Sequence, residues 1–528
     1  MDKQSLIQLI ETGDMWTAES PAAFMLLYPF MVGYSQTSQH WGFGFKAVIV
    51  TTSHDYGRQL IDKADDLRVA KQLMYCYKQT GIGAKYELWQ KYRQAALDSF
   101  HRLDSLDLSK LSGEEFAREY QDLVDVFSQQ WAIPLILEGI TFHTEQVTLP
   151  ELRRQASQLN TRQVGEYFAA LTQPEDISFA AKERQKFLGL CQAITAAGLG
   201  AKITSDFGID DLARSYPKLH QQLINFQKEF YWVRNGYLYS RPIKVGDFWT
   251  LIKEEITTKS PEDIKREIEQ LNNYTAITQE RKQVVLKKLD LTDSLKLELE
   301  ALGSFGHWQD ERKEMNLRGN HYVGRFIDEL AARTGLDYPL AALVLPNESA
   351  EVIKKGKSKW LPVLQKRHEL SIAVVDNKGV WMFTGEDAQL INAALSKQAH
   401  AGVDLTMVEG MVASRGGKDS ITGVARVVLN PHKDKFEKGE ILITSMTRPE
   451  FVPLMRKAIA VVTNEGGITS HAAIVSRELN IPAIIGTGKA TEVFKDGDII
   501  ELKLNHGRVQ RINEHAIAGQ THDKGSNT

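Results

Sequence analysis

Cysteine is nearly missing from this sequence: Cys76 and Cys191 are the only two among 528 residues. That argues against a disulfide scaffold or a thiolate metal site and fits two reduced thiols in a core. Long apolar runs are missing too. No stretch reaches the roughly 18 apolar residues of a membrane span. The opening "MDKQSLIQLIETGDMW" lacks the apolar centre of a secretory leader, so the expected setting is the cytoplasm, away from membranes. Charge of one sign is not in excess. Lys and Arg number 64 against 67 Asp and Glu, a formal net charge of −3, and no nucleic-acid partner is expected. There is no fixed-period repeat and no tight ligand spacing of the zinc kind, so no metal site is expected in the chain itself.

What is present divides into differently patterned parts. A chain of this length exceeds one ordinary core, which implies two to four domains. "AAFMLLYPFMVGY" reads as a packed helix, and "HWGFGFKAVIVTT" as a loop entering a short strand. From about Asp55 to Glu145 apolar residues recur every three or four positions, as in "LRVAKQLMYCYKQTGIG", which predicts helices. "SGEEF" carries a capping box, with Ser112 and Glu115 as partners. The helical pattern continues past residue 300, up to a hairpin within "SIAVVDNKGVWMFTGEDA". After about residue 404 short β-branched strands alternate with glycines: "GVARVVLN", "GEILITS", "IAVVTN" and "IPAIIGTG". "PEFVPLMRK" and "SHAAIVSREL" read as helices between them, and "DGDIIELKLNHGRVQRI" as a closing hairpin. The expected architecture is multidomain: a mostly α-helical region over 1–387, a linker over 388–404, a small α/β domain over 405–513 and a disordered tail over 514–528.

One short stretch carries chemistry. In "TNEGGITSHAAIVSRELNIPAIIG", Thr469 or Ser470 can cap a helix whose first turn holds His471. Helix N-termini offer unpaired N–H groups and a positive dipole end, which suits a phosphoryl group. Gly466 and Gly467 allow the backbone before it to adopt unusual angles and approach a ligand closely. Gly466, Gly467, Thr469 and Ser470 are therefore the candidate phosphate-stabilising residues, and His471 the candidate nucleophile. On the residues alone, a purely structural cap and a metal ligand remain open readings of His471.

The same residues resemble a known family. "VVTNEGGITSHAAIVSRELNIPAIIGTGKAT" closely resembles the phosphohistidine signature of the phosphoenolpyruvate-utilising enzymes, and His471 matches the histidine that carries the phosphoryl group. "VEGMVASRGGKDSITGVARVV" is similar to that family's entry into the domain, so the resemblance covers about Val408 to Ile512. One departure is "NE", Asn464 and Glu465, where the family has an aspartate shortly before the glycine pair. Another is "LKLNHGRV", which lacks the usual aspartate-glycine before the last strand. The resemblance implies a swivelling arm that shuttles phosphate between remote sites, as in the dikinases and rifampin phosphotransferases. It implies ATP or phosphoenolpyruvate as donor, with Mg2+ accompanying it. No ATP-grasp pattern and no eightfold strand–helix alternation occurs in the sequence. "RGGKDS" lacks the ending and spacing of a Walker loop. A separate ATP-grasp protein is therefore the expected loading partner, and a small molecule the expected acceptor. The alternative is a regulatory or scaffold protein with a phosphorylatable or vestigial histidine domain.

The acceptor would bind in the helical region. "FYWVRNGYLYSRP" sets Tyr231, Trp232, Arg234 and Tyr237 around a glycine, a pattern that suits either an apolar pocket or a core edge. "ERKEMNLRGNHY" adds Arg312, Arg318 and His321; the guanidinium forks of the two arginines suit a phosphate or carboxylate, or a solvated helix face. His40 and His143 are further histidines with no pattern joining them.

Overall fold

The computed structural model describes residues 3–200, 207–400, 406–431, 434–448, 451–466 and 470–512. The expected tail, 514–528, and the candidates Gly467 and Thr469 lie outside the described residues. Helices dominate up to His400, and strands dominate after residue 406.

The helical body is built around a 42-residue helix, Asp293–Thr334, which buries a long apolar stripe that includes Phe305, Trp308, Val323 and Phe326. It crosses the helix Gly113–Ala132 at Gly319, where a Cβ would lie 2.2 Å from the Phe127 ring. Any side chain there would force the two helices apart. The capping box at the start of Gly113–Ala132 forms as read: Glu115 N donates to Ser112 Oγ at 3.2 Å, and Ser112 N donates to Glu115 Oε2 at 2.8 Å. Helices between Phe179 and Asn272 enclose a separate core around Leu188, Phe226, Trp232 and Phe248.

A five-stranded antiparallel sheet is set into this body. Its strands are β1 (Met15–Pro21), β2 (Val48–Ser53), β3 (Tyr56–Asp62), β4 (Ser371–Asp376) and β5 (Gly379–Thr384), in the order β1-β3-β2-β4-β5. β2 and the β4–β5 hairpin match the sequence reading. β3 corrects it, since helix was expected from about residue 55. "YGRQLID" places Arg58 and Gln59 side by side and so hides its alternation, while pairing on both sides fixes it as a strand. The linker expected over 388–404 is also different. Helix Glu386–His400 occupies most of it and packs Ala388, Ile391, Ala394 and Leu395 against Ile49, Leu60, Ile372 and Val374 of the sheet. Their spacing of three and four residues makes one apolar stripe, and alanine favours helix.

A buried carboxylate anchors the body's far side. Glu298 accepts from Thr148 Oγ1 at 2.6 Å and from Lys78 Nζ at 2.9 Å, and its Oε1 lies 3.0 Å from His143 Nε2. Burial alone would raise its pKa; the bonds from His143, Thr148 and Lys78 overcome that and hold it at about 2. His143 is thus a structural partner. Glu298→Ala should destabilise the protein by about 3 kcal/mol at pH 7, because it strands buried donors and a lysine. Because the folded value is depressed, that stabilisation is present above the ordinary carboxylate range and is lost as pH falls towards 2. Urea unfolding at pH 7 checks the loss.

The C-terminal domain forms one eight-stranded sheet. Its strands are β6 (Met407–Glu409), β7 (Met411–Ser414), β8 (Ser420–Val427), β9 (Ile441–Thr444), β10 (Ala460–Thr463), β11 (Ala483–Ile485), β12 (Ile499–Lys503) and β13 (Arg508–Arg511). Their order is β6-β13-β12-β8-β9-β10-β11-β7. β8, β9, β10 and β11 run parallel, and antiparallel strands flank them. Parallel neighbours need crossovers. These are the short helix Val452–Met455 between β9 and β10, and the helix His471–Glu478 between β10 and β11. Among the described residues no helix is long and apolar enough to cross a membrane.

Candidate functional site

His471 opens its helix at the carboxyl end of β10, beside the loop that follows β9. In open α/β sheets this edge is where ligands collect. Ser470 is the N-cap, with φ −66° and ψ 158°, and its side chain accepts from Ala473 N at 3.3 Å. Ala472 and Ala473 are buried against the sheet, which fixes the helix under the histidine. Gly466 has φ +122°, and a Cβ there would sit 2.8 Å from Ser470 Oγ. Both the angle and the close approach require glycine. Asn480, at φ 51°, follows the helix.

The loop after β9 joins the histidine to the body. Thr447 Oγ1 lies 2.9 Å from His471 Nδ1. Two residues earlier, Ser445 Oγ lies 3.4 Å from the Tyr56 hydroxyl of β3. One residue later, Arg448 acts on Tyr237, whose hydroxyl accepts from Asn316 Nδ2 at 3.3 Å. A second bridge comes from the loop after β10. Glu465 Oε1 accepts the backbone N–H of Glu19 at 3.0 Å, while Asn464 stays inside its own domain, bonded to Thr491. The two residues that depart from the family signature therefore hold opposite sides of one loop.

The body surface met by these loops is polar and enclosed. Glu19, only 4% exposed, pairs with Arg58 Nε at 2.9 Å and accepts from the Tyr56 hydroxyl at 3.1 Å. Arg312 forms an ion pair with Glu138 and lies over the Trp131 ring at 5.3 Å. Tyr34 accepts from Gln59 at 2.9 Å and feels both Glu138 and Arg312. Burial, with Glu138 and Asp65 nearby, pushes Asp66 up to about 7. Burial also pushes Glu465 up to about 8, helped by Glu19 and Glu138 and opposed by the Glu19 amide and Arg448. Arg312 Nε and Asn316 Oδ1 are buried without a hydrogen-bond partner in the protein. Such atoms seek water or a ligand.

The residues expected around the acceptor are spread over separate settings. Tyr237 and Arg312 belong to the surface just described. Tyr231 and His321 lie together elsewhere, with rings 4.9 Å apart, and the Tyr231 hydroxyl is 3.2 Å from that of Tyr322, which donates to Asp104 at 2.9 Å. Burial and Arg325 push His321 down to about 4. Trp232 is a core residue with no exposure, and Arg318 stacks on it at 4.4 Å while pairing with Glu314. Arg234 is exposed. Glu19, Tyr34, Tyr56, Glu138, Ser445, Thr447 and Arg448 were not foreseen. Only Glu465 carried a sequence signal, as a departure from the signature.

The site is thus a capped histidine helix at the carboxyl edge of a parallel sheet, with neighbouring loops bonded to a polar surface of the body. Residues 436–507 match the family described as PEP-utilising enzyme, mobile domain. Relatives are similar over about a fifth of the chain. A protein of Staphylothermus marinus named "Probable phosphoenolpyruvate synthase" is 54% identical over 105 residues, covering 19% of this chain and 12% of that protein. The phosphoenolpyruvate synthase of Aquifex aeolicus is 49% identical over 102 residues, again 19% and 12%. That of Aeropyrum pernix is 48% identical over 103 residues, 20% of this chain and 12% of the relative. The chain thus matches about an eighth of the length of these relatives, and the body lies outside the match.

Proposed function

We propose that the chain is a phosphotransferase component in which His471 carries a phosphoryl group and delivers it to a small molecule bound on the body. The observation behind this is the loop after β9: within four residues it touches body strand β3, the histidine ring and the surroundings of Tyr237. The loop that holds the histidine thus reaches Tyr237, beside Arg312 and Asn316, whose buried Nε and Oδ1 lack a hydrogen-bond partner in the protein.

The chemistry follows from the ring. In the tautomer whose Nδ1–H donates to Thr447 Oγ1, Nε2 carries the lone pair that attacks phosphorus as the bond to the donor's leaving oxygen breaks. The new group lies beside the Ser470-capped helix start, where N–H dipoles favour its charge. In the second step an acceptor hydroxyl oxygen attacks phosphorus, the P–N bond breaks and the ring regains its lone pair. The hydroxyl proton passes to solvent. The reacting atoms must approach to about 3–3.5 Å, so the domain must move between the donor and this position.

The donor is ATP, through a separate ATP-grasp protein, or phosphoenolpyruvate. Among the described residues no group of three or more His, Cys, Asp or Glu is placed to hold a metal. Mg2+ would accompany the donor's phosphates, as the resemblance implies.

The test is a phosphoryl chase. Label the purified chain with 32P-phosphoenolpyruvate, or with β-32P-ATP and an ATP-grasp protein, then add a metabolite extract. The expected result is label leaving His471 for a new small phosphorylated compound. Release only as inorganic phosphate, or onto protein, would overturn the transferase reading.

A further inference from the structure

β1 is an edge strand: it pairs with β3 on one side only. Edge strands leave outward N–H groups without a ladder partner. At Glu19 that outward N–H is taken by a side chain from the other domain, Glu465. This is an unusual choice of clasp, because the two residues are both acidic. The Glu19 carboxylate lies nearly buried in the same place, held by Arg58 and Tyr56.

We propose that Glu465 is a proton-operated latch, docking the mobile domain on strand β1 when neutral and releasing it when ionised. The proposal concerns the regulation of the carrier site, and its use in transfer rests on the carrier reading; the docking equilibrium itself does not.

The charged and titratable groups around Glu465 can be taken element by element. Glu19 comes from β1, with Arg58 and Tyr56 from β3. Glu138 comes from the Pro134–Gly139 turn, where Arg312 partly neutralises it. Arg448 comes from the loop after β9, and Glu492, near the Ala490–Val493 helix, acts on Glu19. Arg58 is committed to Glu19 and Arg312 to Glu138, which leaves Arg448 as the cation acting on Glu465. Docking an ionised Glu465 therefore puts an anion next to the nearly buried Glu19 carboxylate. A neutral carboxyl avoids this and still accepts the Glu19 N–H.

The sign follows from linkage. Docked Glu465 sits at about 8, against an ordinary carboxyl value of about 4.5 once the domain is released into water. Between those limits the docked state holds the extra proton, so docking weakens by up to about tenfold per pH unit as pH rises. Above about 8 both states are ionised and the dependence levels off.

The experiment uses the full unphosphorylated chain. Hydrogen exchange at the Glu19 amide, corrected for intrinsic exchange, and small-angle X-ray scattering are followed from pH 6 to 9. The expected result is a falling docked fraction in the wild type up to about pH 8. Glu465→Gln keeps the acceptor without the charge, and should stay docked across the whole range. A flat wild-type profile would overturn the latch, and so would an equal slope in Glu465→Gln. His471→Ala should reproduce the wild-type profile. Neither readout involves phosphoryl transfer, so failure of the carrier reading leaves this result standing and failure of the latch leaves the carrier reading standing.

Discussion

With His471 replaced by alanine, labelling of the chain from 32P-phosphoenolpyruvate, or from β-32P-ATP with an ATP-grasp protein, falls to background. The wild type is expected to take up an acid-labile, base-stable label. The size of the effect follows from the chemistry: removing the nucleophile removes the intermediate, and the neighbouring hydroxyls of Ser470 and Thr447 are poor substitutes at neutral pH. Thr447→Val provides the graded companion. It removes the hydrogen bond to Nδ1 and so loosens the ring, slowing labelling about three- to tenfold without abolishing it, the worth of one hydrogen bond. Full labelling of His471→Ala would place the phosphoryl group elsewhere.

The local part of this site was legible in the sequence, and the tertiary part was not. Ser470, His471 and the helix behind them follow from capping preference and apolar spacing, because a cap and a helix are settled within a few residues. The glycine at 466 was legible for the same reason. Strands β9, β10 and β11 were readable from their β-branched runs, since strands buried on both faces have near-continuous apolar sequences. Strand β3 was hidden by adjacent polar residues, and the helix Glu386–His400 by its polar exposed side. The meeting of Glu19, Tyr56, Glu138, Tyr237 and Glu465 could not be read, because no local pattern links residues hundreds of positions apart. Arg312 shows the difficulty within one helix. The sequence grouped it with His321, but nine residues at 100° each put the two on opposite sides. Arg312 consequently meets Glu138 and the side facing the mobile domain, while His321 meets Tyr231.

That geometry makes Arg312 the most consequential side chain of the body. Arg312→Met keeps the stem over Trp131 but leaves Glu138 without its cation, beside Asp66 and Tyr34. Breaking a buried pair in this way costs about 3–5 kcal/mol. Replacing both partners, Arg312→Met with Glu138→Leu, removes the stranded charge and should recover most of that loss, as urea unfolding would measure. Function separates from stability in the double variant. His471 and Thr447 are untouched, so loading from the donor should proceed at the wild-type rate. Discharge to a small molecule in the chase should fall to background, because the guanidinium and carboxylate of the proposed acceptor surface are both gone. A double variant that is stable, loads normally and still discharges at the wild-type rate would move the acceptor off this surface. The cluster of Tyr231, His321, Tyr322 and Asp104 would then be the next place to look, since it is the other half-buried polar group of the body built from the residues first singled out.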